Sequence, residues 1–219
     1  MNPALIAKPR RPRPTLSNVL PSLRATARER LKTGDVFGFF STTDSMLSMR
    51  LLCDNYYYLK SVGLWEKALL YAWSNQKYTG GPIHNDQDDS WAVLMPAILA
   101  ASNRAKLLEF SDDLPDGDEF TIYRGARAEY ARGVSWTLAL NIAANFPTLW
   151  SEASNIYATK IKRSDIYAYI DSGDSRNEKE VVVVLPKEHP ITILQSFSTY
   201  QEKVSWRRLQ GFPATINDL

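Results

Sequence analysis

The chain has 219 residues and a mass of 24.8 kDa, with 44% hydrophobic and 23% charged residues, an ordinary globular composition that excludes a fibrous or wholly disordered protein. Its single cysteine, Cys53, rules out an intrachain disulfide framework and favours a reducing compartment, and no apolar run approaches the roughly 18 residues of a membrane-spanning helix. Net charge is +2, but Lys8, Arg10, Arg11 and Arg13 lie among the first fourteen residues without an acid, so the remainder is slightly acidic at −2.

Residues 1–15 read as a basic, Pro-rich flexible arm, because prolines interrupt any helix there. No apolar stretch follows its basic residues, so the arm is not a secretory signal and the expected location is cytoplasmic. Its charge fits a solvated tail, and an electrostatic contact with nucleic acid or an acidic partner stays open. Residues 16–110 read as a helical region. Ser17 is placed to cap a helix over Val19–Leu31, which Thr33-Gly34-Asp35 ends. A second helical stretch runs from Asp44 to Val62, and a short amphipathic one from Leu64 to Trp73. Tyr78–Pro82 is a break, and a last helix runs from about Asp89 to Leu108.

Ser111–Glu119, SDDLPDGDE, is an acidic turn-rich linker, and the domain boundary is expected there. Residues 111–219 then read as strand-dominated. Phe120–Tyr123, Asn155–Ile161, Ile166–Ile170, Glu180–Leu185 and Ile191–Phe197 are the predicted strands, with the run of four valines after Glu180 suited to a strand buried on both faces. Leu138–Phe146 is short and helix-like, stopped by Pro147.

Three segments of this half carry chemistry together: Tyr123-Arg124-Gly125 at the end of a strand, Gly133-Val134-Ser135-Trp136-Thr137 before a short helix, and Glu178-Lys179-Glu180 leading into the valine run. In order and spacing they resemble the arginine–serine–glutamate class of mono-ADP-ribosyltransferases, which includes cholera-type and C3-type toxins, vertebrate ecto-enzymes and phage and bacterial intracellular proteins. The resemblance covers roughly residues 119–198. It implies an α+β fold in which an N-terminal helical region packs on an ADP-ribosyltransferase-like β core of two small sheets enclosing an NAD⁺ cleft. It also implies NAD⁺ as co-substrate and no metal. Trp136, inside the Ser-Thr-Ser-like segment, departs from the class pattern and puts the role of Thr137 in question.

Physical chemistry suits these positions to that reading. Breaking the ribose–nicotinamide bond passes through an oxocarbenium-like state, which needs a fixed negative charge, and Glu180 is the candidate. A pyrophosphate needs a planar fork of donors, which Arg124 supplies better than a lysine would. Gly125, Ser135 and Thr137 complete the expected cofactor-binding set, the two hydroxyls holding Glu180 or the ribose. Residues two apart on a strand share a face, so Glu178 and Glu180 are expected to face the cleft together, where mutual repulsion raises one pKa. By resemblance, Glu178 activates an acceptor guanidinium and Asp171–Asn177 is the acceptor loop. The nicotinamide ring has Phe146, Tyr157, Tyr167 and Tyr169 as stacking candidates, with nothing in the sequence to choose among them.

Other signals carry less. His84, Asp86, Asp88 and Asp89 match no zinc or calcium-loop spacing, nor do Asp112, Asp113, Asp116 and Asp118. His189 sits in a turn without a nucleophile, and Cys53 reads as core. No Gly-rich phosphate loop is present in the sequence. The expected activity is mono-ADP-ribosyl transfer to a macromolecule, with arginine on a protein favoured, in an intracellular toxin or phage effector that a neutralising antitoxin or inhibitor protein would regulate. Modification of RNA or DNA, NAD⁺ hydrolysis by a toxin and an inactive interaction module remain the alternatives.

Overall fold

The structure, a computed structural model, describes residues 12–75, 90–149, 153–171 and 178–212. The chain is mixed α/β and forms two compact units, residues 1–77 and 78–219. This division falls earlier than the composition shift at 111–119, and the last predicted helix, about Asp89–Leu108, belongs to the strand-bearing unit, where it is two helices. The arm's first eleven residues, the break at Tyr78–Pro82, the His84–Asp89 cluster and all but the first residue of the Asp171–Asn177 loop lie outside the described residues.

The first unit is helical. Pro21 opens a 3₁₀ turn, Pro21–Leu23, where its missing N–H costs nothing, so helix α1 starts only at Arg24 and runs to Thr33. Gly34 ends it in the left-handed region, φ 73°, its N–H bonding back to the last turn. Asp35 then caps α2 (Val36–Phe40) by accepting from the Gly38 N–H at 2.8 Å. The predicted helix over 44–62 is two, α3 (Ser48–Asp54) and α4 (Tyr56–Ser61), broken at Asn55. The buried Asn55 amide donates to the Leu51 and Thr15 carbonyls and accepts from the Thr15 N–H, a long-range latch that outweighs helix continuation. Helix α5 (Trp65–Asn75) follows, and Phe39, Leu51, Leu52, Leu59, Trp65 and Leu69 are buried, each worth about 1.5–3 kcal/mol relative to exposure.

The second unit begins with α6 (Ser90–Ala100) and α7 (Arg104–Phe110), separated because Asn103 caps α7. Six strands follow, β1 (Glu119–Ala126), β2 (Ser135–Thr137), β3 (Ser154–Lys162), β4 (Ile166–Ile170), β5 (Glu180–Val183) and β6 (Thr192–Phe197). A four-residue helix, α8 (Leu140–Ala143), separates β2 from β3, and α9 (Tyr200–Leu209) ends the described chain. Among the described residues the strands form one sheet in the order β4-β5-β2-β1-β3-β6, every neighbouring pair antiparallel. Two separate small sheets were expected. The single sheet arises because Tyr123 of β1 pairs with Thr137 of β2 and joins two three-stranded halves through that one short ladder. One face buries Phe120, Ile122, Trp136, Ile161, Ile166 and Val181. The other takes α8 and α9 over Ile156 and Phe197.

Candidate active site

Arg124 stands near the end of β1 beside two glycines with different roles, Gly125 next to it in the strand and Gly133 against its side chain. A side chain at Gly125 would collide with the Ala143 carbonyl and Pro147, so this buried glycine lets β1 sit against α8 and the following turn. A side chain at Gly133 would collide with the Arg124 guanidinium itself. The guanidinium lies in that gap, its Nε donating to the Tyr130 carbonyl at 3.0 Å and its Nη1 to the Ser135 carbonyl. Gly133 and Tyr130 were not among the expected site residues. The glycine two residues before Ser135 was the available signal.

Ser135 connects the cation to the carboxylate. Its backbone accepts from Arg124 while its hydroxyl donates to Glu180 Oε1 at 2.5 Å, a short charge-assisted bond. Ser135 pairs with Val182 and Thr137 with Glu180 across β2 and β5, so Ser135 and Glu180 are diagonal neighbours on one sheet face. The structure thus brings Arg124, Ser135 and Glu180 from three strands into one hydrogen-bonded chain.

The other expected residues are placed differently. Thr137 is buried, its hydroxyl donating to the Glu178 carbonyl at 2.6 Å and accepting from the Ala139 N–H at 3.0 Å, so it holds backbone. Trp136 points to the opposite face, buried in the core, with its indole N–H on the Gly133 carbonyl at 2.7 Å. The departure from the Ser-Thr-Ser pattern therefore does not intrude on Ser135. Glu178 is half-buried but lies outside β5, and Lys179 between the two glutamates has φ 47°. That left-handed residue breaks strand alternation, so the sequence argument that sends both carboxylates to one face does not hold here.

Of the four aromatic candidates, Tyr157 and Tyr169 are core residues. Burial, with Asp171 accepting from its hydroxyl at 3.0 Å, holds the Tyr169 phenol well above its ordinary range. Phe146 is half-buried and opens the turn that carries Pro147 onto Gly125. Tyr167 lines a cavity of about 290 Å³ with Arg104, Asp165, Leu185 and His189. That cavity contains none of Arg124, Ser135 or Glu180 and lies toward the Ile166–Val183 end of the β4–β5 ladder, whereas Glu180 pairs with Ile170 at the other end. His189 is held by Thr159 at 2.8 Å and by the Lys160 carbonyl at 3.1 Å. Burial, then Asp54, raises the Cys53 thiol above its usual pKa and away from nucleophilic use. Among the described residues no cluster could hold a metal ion, and no helix is long and apolar enough to cross a membrane.

Comparison of the chain with protein-family models, with curated proteins and with solved structures finds no match.

Proposed function

We propose that this protein is an NAD⁺-dependent mono-ADP-ribosyltransferase whose acceptor is an arginine side chain of another protein, consistent with a role as an intracellular toxin or phage effector under a neutralising partner. The observation that carries the reading is the bridge made by Ser135, whose hydroxyl orients Glu180 while its carbonyl anchors Arg124. Three residue types singled out by one chemistry, on three strands separated by 11 and 45 residues, converge on one another.

In this mechanism the bond between ribose C1′ and the nicotinamide nitrogen breaks, and its electron pair leaves with nicotinamide. The Glu180 carboxylate stabilises the positive charge developing on the ribose. Arg124 supplies positive charge for the pyrophosphate. An acceptor guanidinium nitrogen forms the new bond to C1′ and loses a proton, which Glu178 receives.

The test is incubation of the purified chain with labelled NAD⁺ and a cell lysate, beside Glu180→Gln, with protease and RNase digestion and measurement of nicotinamide. Protease-sensitive label that Glu180→Gln abolishes is the expected result. RNase-sensitive label would replace the acceptor class, and nicotinamide release without label would mean a hydrolase. A folded protein giving neither would leave an interaction module and end the transferase reading.

A further inference from the structure

The cavity at the Ile166–Val183 end of the β4–β5 ladder lies within the second unit and includes none of Arg124, Ser135 and Glu180. Its volume, about 290 Å³, falls at the small end of ligand sites, which run from about 300 Å³ upward. Its walls are the start of α7, the turn from β3 into β4, and the residues that follow β5. The polar groups among them are few, and each has hydrogen-bonding capacity left over.

Half-buried Arg104 is the cation. Its Nε–H and one Nη2–H hold the Ile166 and Arg163 carbonyls, which fixes the plane of the guanidinium. The edge formed by Nη1 and the second Nη2 hydrogen is engaged by no group among the described residues, and a fork of that shape matches a carboxylate. Asp165 supplies the opposite charge. Its Oδ2 accepts from the Lys162 N–H at 3.0 Å, and its Oδ1 takes a long bond, 3.4 Å, from the neighbouring Ser164 hydroxyl. The carboxylate is held by these bonds yet keeps lone pairs for a further donor. His189 adds an acceptor. The Thr159 hydroxyl gives its proton to the Pro190 carbonyl at 2.7 Å, so at 2.8 Å from His189 Nε2 it accepts. Nε2 therefore carries the ring hydrogen, and Nδ1 of the neutral ring is left as an acceptor.

The rest of the lining is apolar. Val184, Leu185 and Pro186 follow β5, and the Tyr167 ring comes from β4. Ile166 pairs with Val183 and Ala168 with Val182, so Tyr167 is the extra residue of a β-bulge. Ile166 and Tyr169, three apart, both enter the core, which shows the alternation broken at that point. Bulges re-aim side chains and are common beside functional sites, and here the residue set out of the ladder is the one that lines the cavity.

One cation, one carboxylate and an apolar wall give the cavity no net charge. A phosphate would gain Arg104 but face Asp165, and a hydrocarbon would strand both charges. A small zwitterion with an apolar body satisfies all three. We propose that this cavity binds a free α-amino acid with an apolar side chain. Its carboxylate lies on the free edge of Arg104, its ammonium on Asp165 and His189 Nδ1, and its side chain against Tyr167 and Leu185. The proposal stands whether or not the second unit transfers ADP-ribose.

The test is isothermal titration calorimetry of the full chain with L-phenylalanine, beside N-acetyl-L-phenylalanine, which lacks the ammonium, and phenethylamine, which lacks the carboxylate. L-phenylalanine should bind with a Kd of about 1 mM or tighter, and each analogue about 10-fold more weakly. Asp165→Asn keeps an acceptor for the Lys162 N–H and should weaken L-phenylalanine about 10-fold while leaving N-acetyl-L-phenylalanine unchanged. Tyr167→Ala, with an unchanged circular dichroism spectrum, should weaken L-phenylalanine about 10-fold through lost apolar contact. Glu180→Gln should bind as the parent does. No binding of L-phenylalanine at millimolar concentration would overturn the proposal, as would analogues that bind equally well or an affinity indifferent to Asp165 and Tyr167. Binding lost in Glu180→Gln would place the ligand beside Arg124 and overturn it too.

Discussion

The two ends of the β4–β5 ladder offer two uses of arginine. At the Ile170–Glu180 end, Arg124 lies on the carbonyls of Tyr130 and Ser135, and Ser135 passes on a hydrogen bond to a carboxylate. At the Ile166–Val183 end, Arg104 of α7 donates to the Ile166 carbonyl at 2.6 Å and the Arg163 carbonyl at 3.0 Å. The second end has the cavity, but its cation ties a helix to a strand. The first has a cation, a hydroxyl and a carboxylate in one hydrogen-bonded chain. A cavity indicates room, whereas a carboxylate oriented by a hydroxyl indicates chemistry.

The contrast breaks most sharply on Glu180. Glu180→Gln should lower NAD⁺ turnover by about 10²–10³, roughly 2.7–4 kcal/mol of transition-state stabilisation, with the melting temperature unchanged. Equal loss of stability would make Glu180 a structural residue like Arg104. The mirror experiment is Arg104→Ala. It strands the carbonyls of Arg163, in the turn before β4, and of Ile166, the first residue of β4, and should destabilise the fold by about 2–3 kcal/mol, read by denaturant unfolding, while turnover per folded molecule stays the same. Ser135→Ala sharpens the first end. The bond from Ser135 to Glu180 is charge-assisted, so its loss should reduce turnover about 10-fold, or roughly 1.5 kcal/mol, with little change in NAD⁺ affinity.

Much of this was legible in the sequence, for reasons that also explain what was not. Ile166–Ile170 was found at its boundaries because apolar runs between turn residues report burial directly. Arg124, Ser135 and Glu180 were singled out by residue type and by their order along the chain, and the structure joins them in one hydrogen-bonded chain. Helix α9 was missed because its buried face is formed by Lys203 and Arg207, the latter donating to Asn145, so hydrophobic periodicity registers nothing there. The break at Asn55 depends on Thr15, forty residues away, and no local signal contains it. The reach of β1 past Tyr123 to Ala126 depends on Gly125 meeting α8 and Pro147, a tertiary fit.

Lys179 carries the smallest effect and the finest test of how the site is built. Its φ of 47° costs a lysine about 1–2 kcal/mol that glycine does not incur. The strain is held by neighbours on both sides, with the Leu138 N–H on the Lys179 carbonyl at 3.1 Å and the Thr137 hydroxyl on the Glu178 carbonyl at 2.6 Å. Both anchors come from the end of β2 opposite Ser135, so one short strand carries the serine at its start and holds the kink at its finish. Lys179→Gly should therefore stabilise the fold by about 0.5–1 kcal/mol, the relieved strain less the extra entropy of glycine in the unfolded chain. If the kink serves only to start β5, turnover should be untouched. If it sets where Glu178 stands relative to Glu180, the looser backbone should lower transfer to the acceptor while leaving NAD⁺ cleavage by Glu180 intact. Measuring nicotinamide release and label transfer on the same Lys179→Gly sample separates the two roles of the glutamates, which strand alternation alone cannot assign.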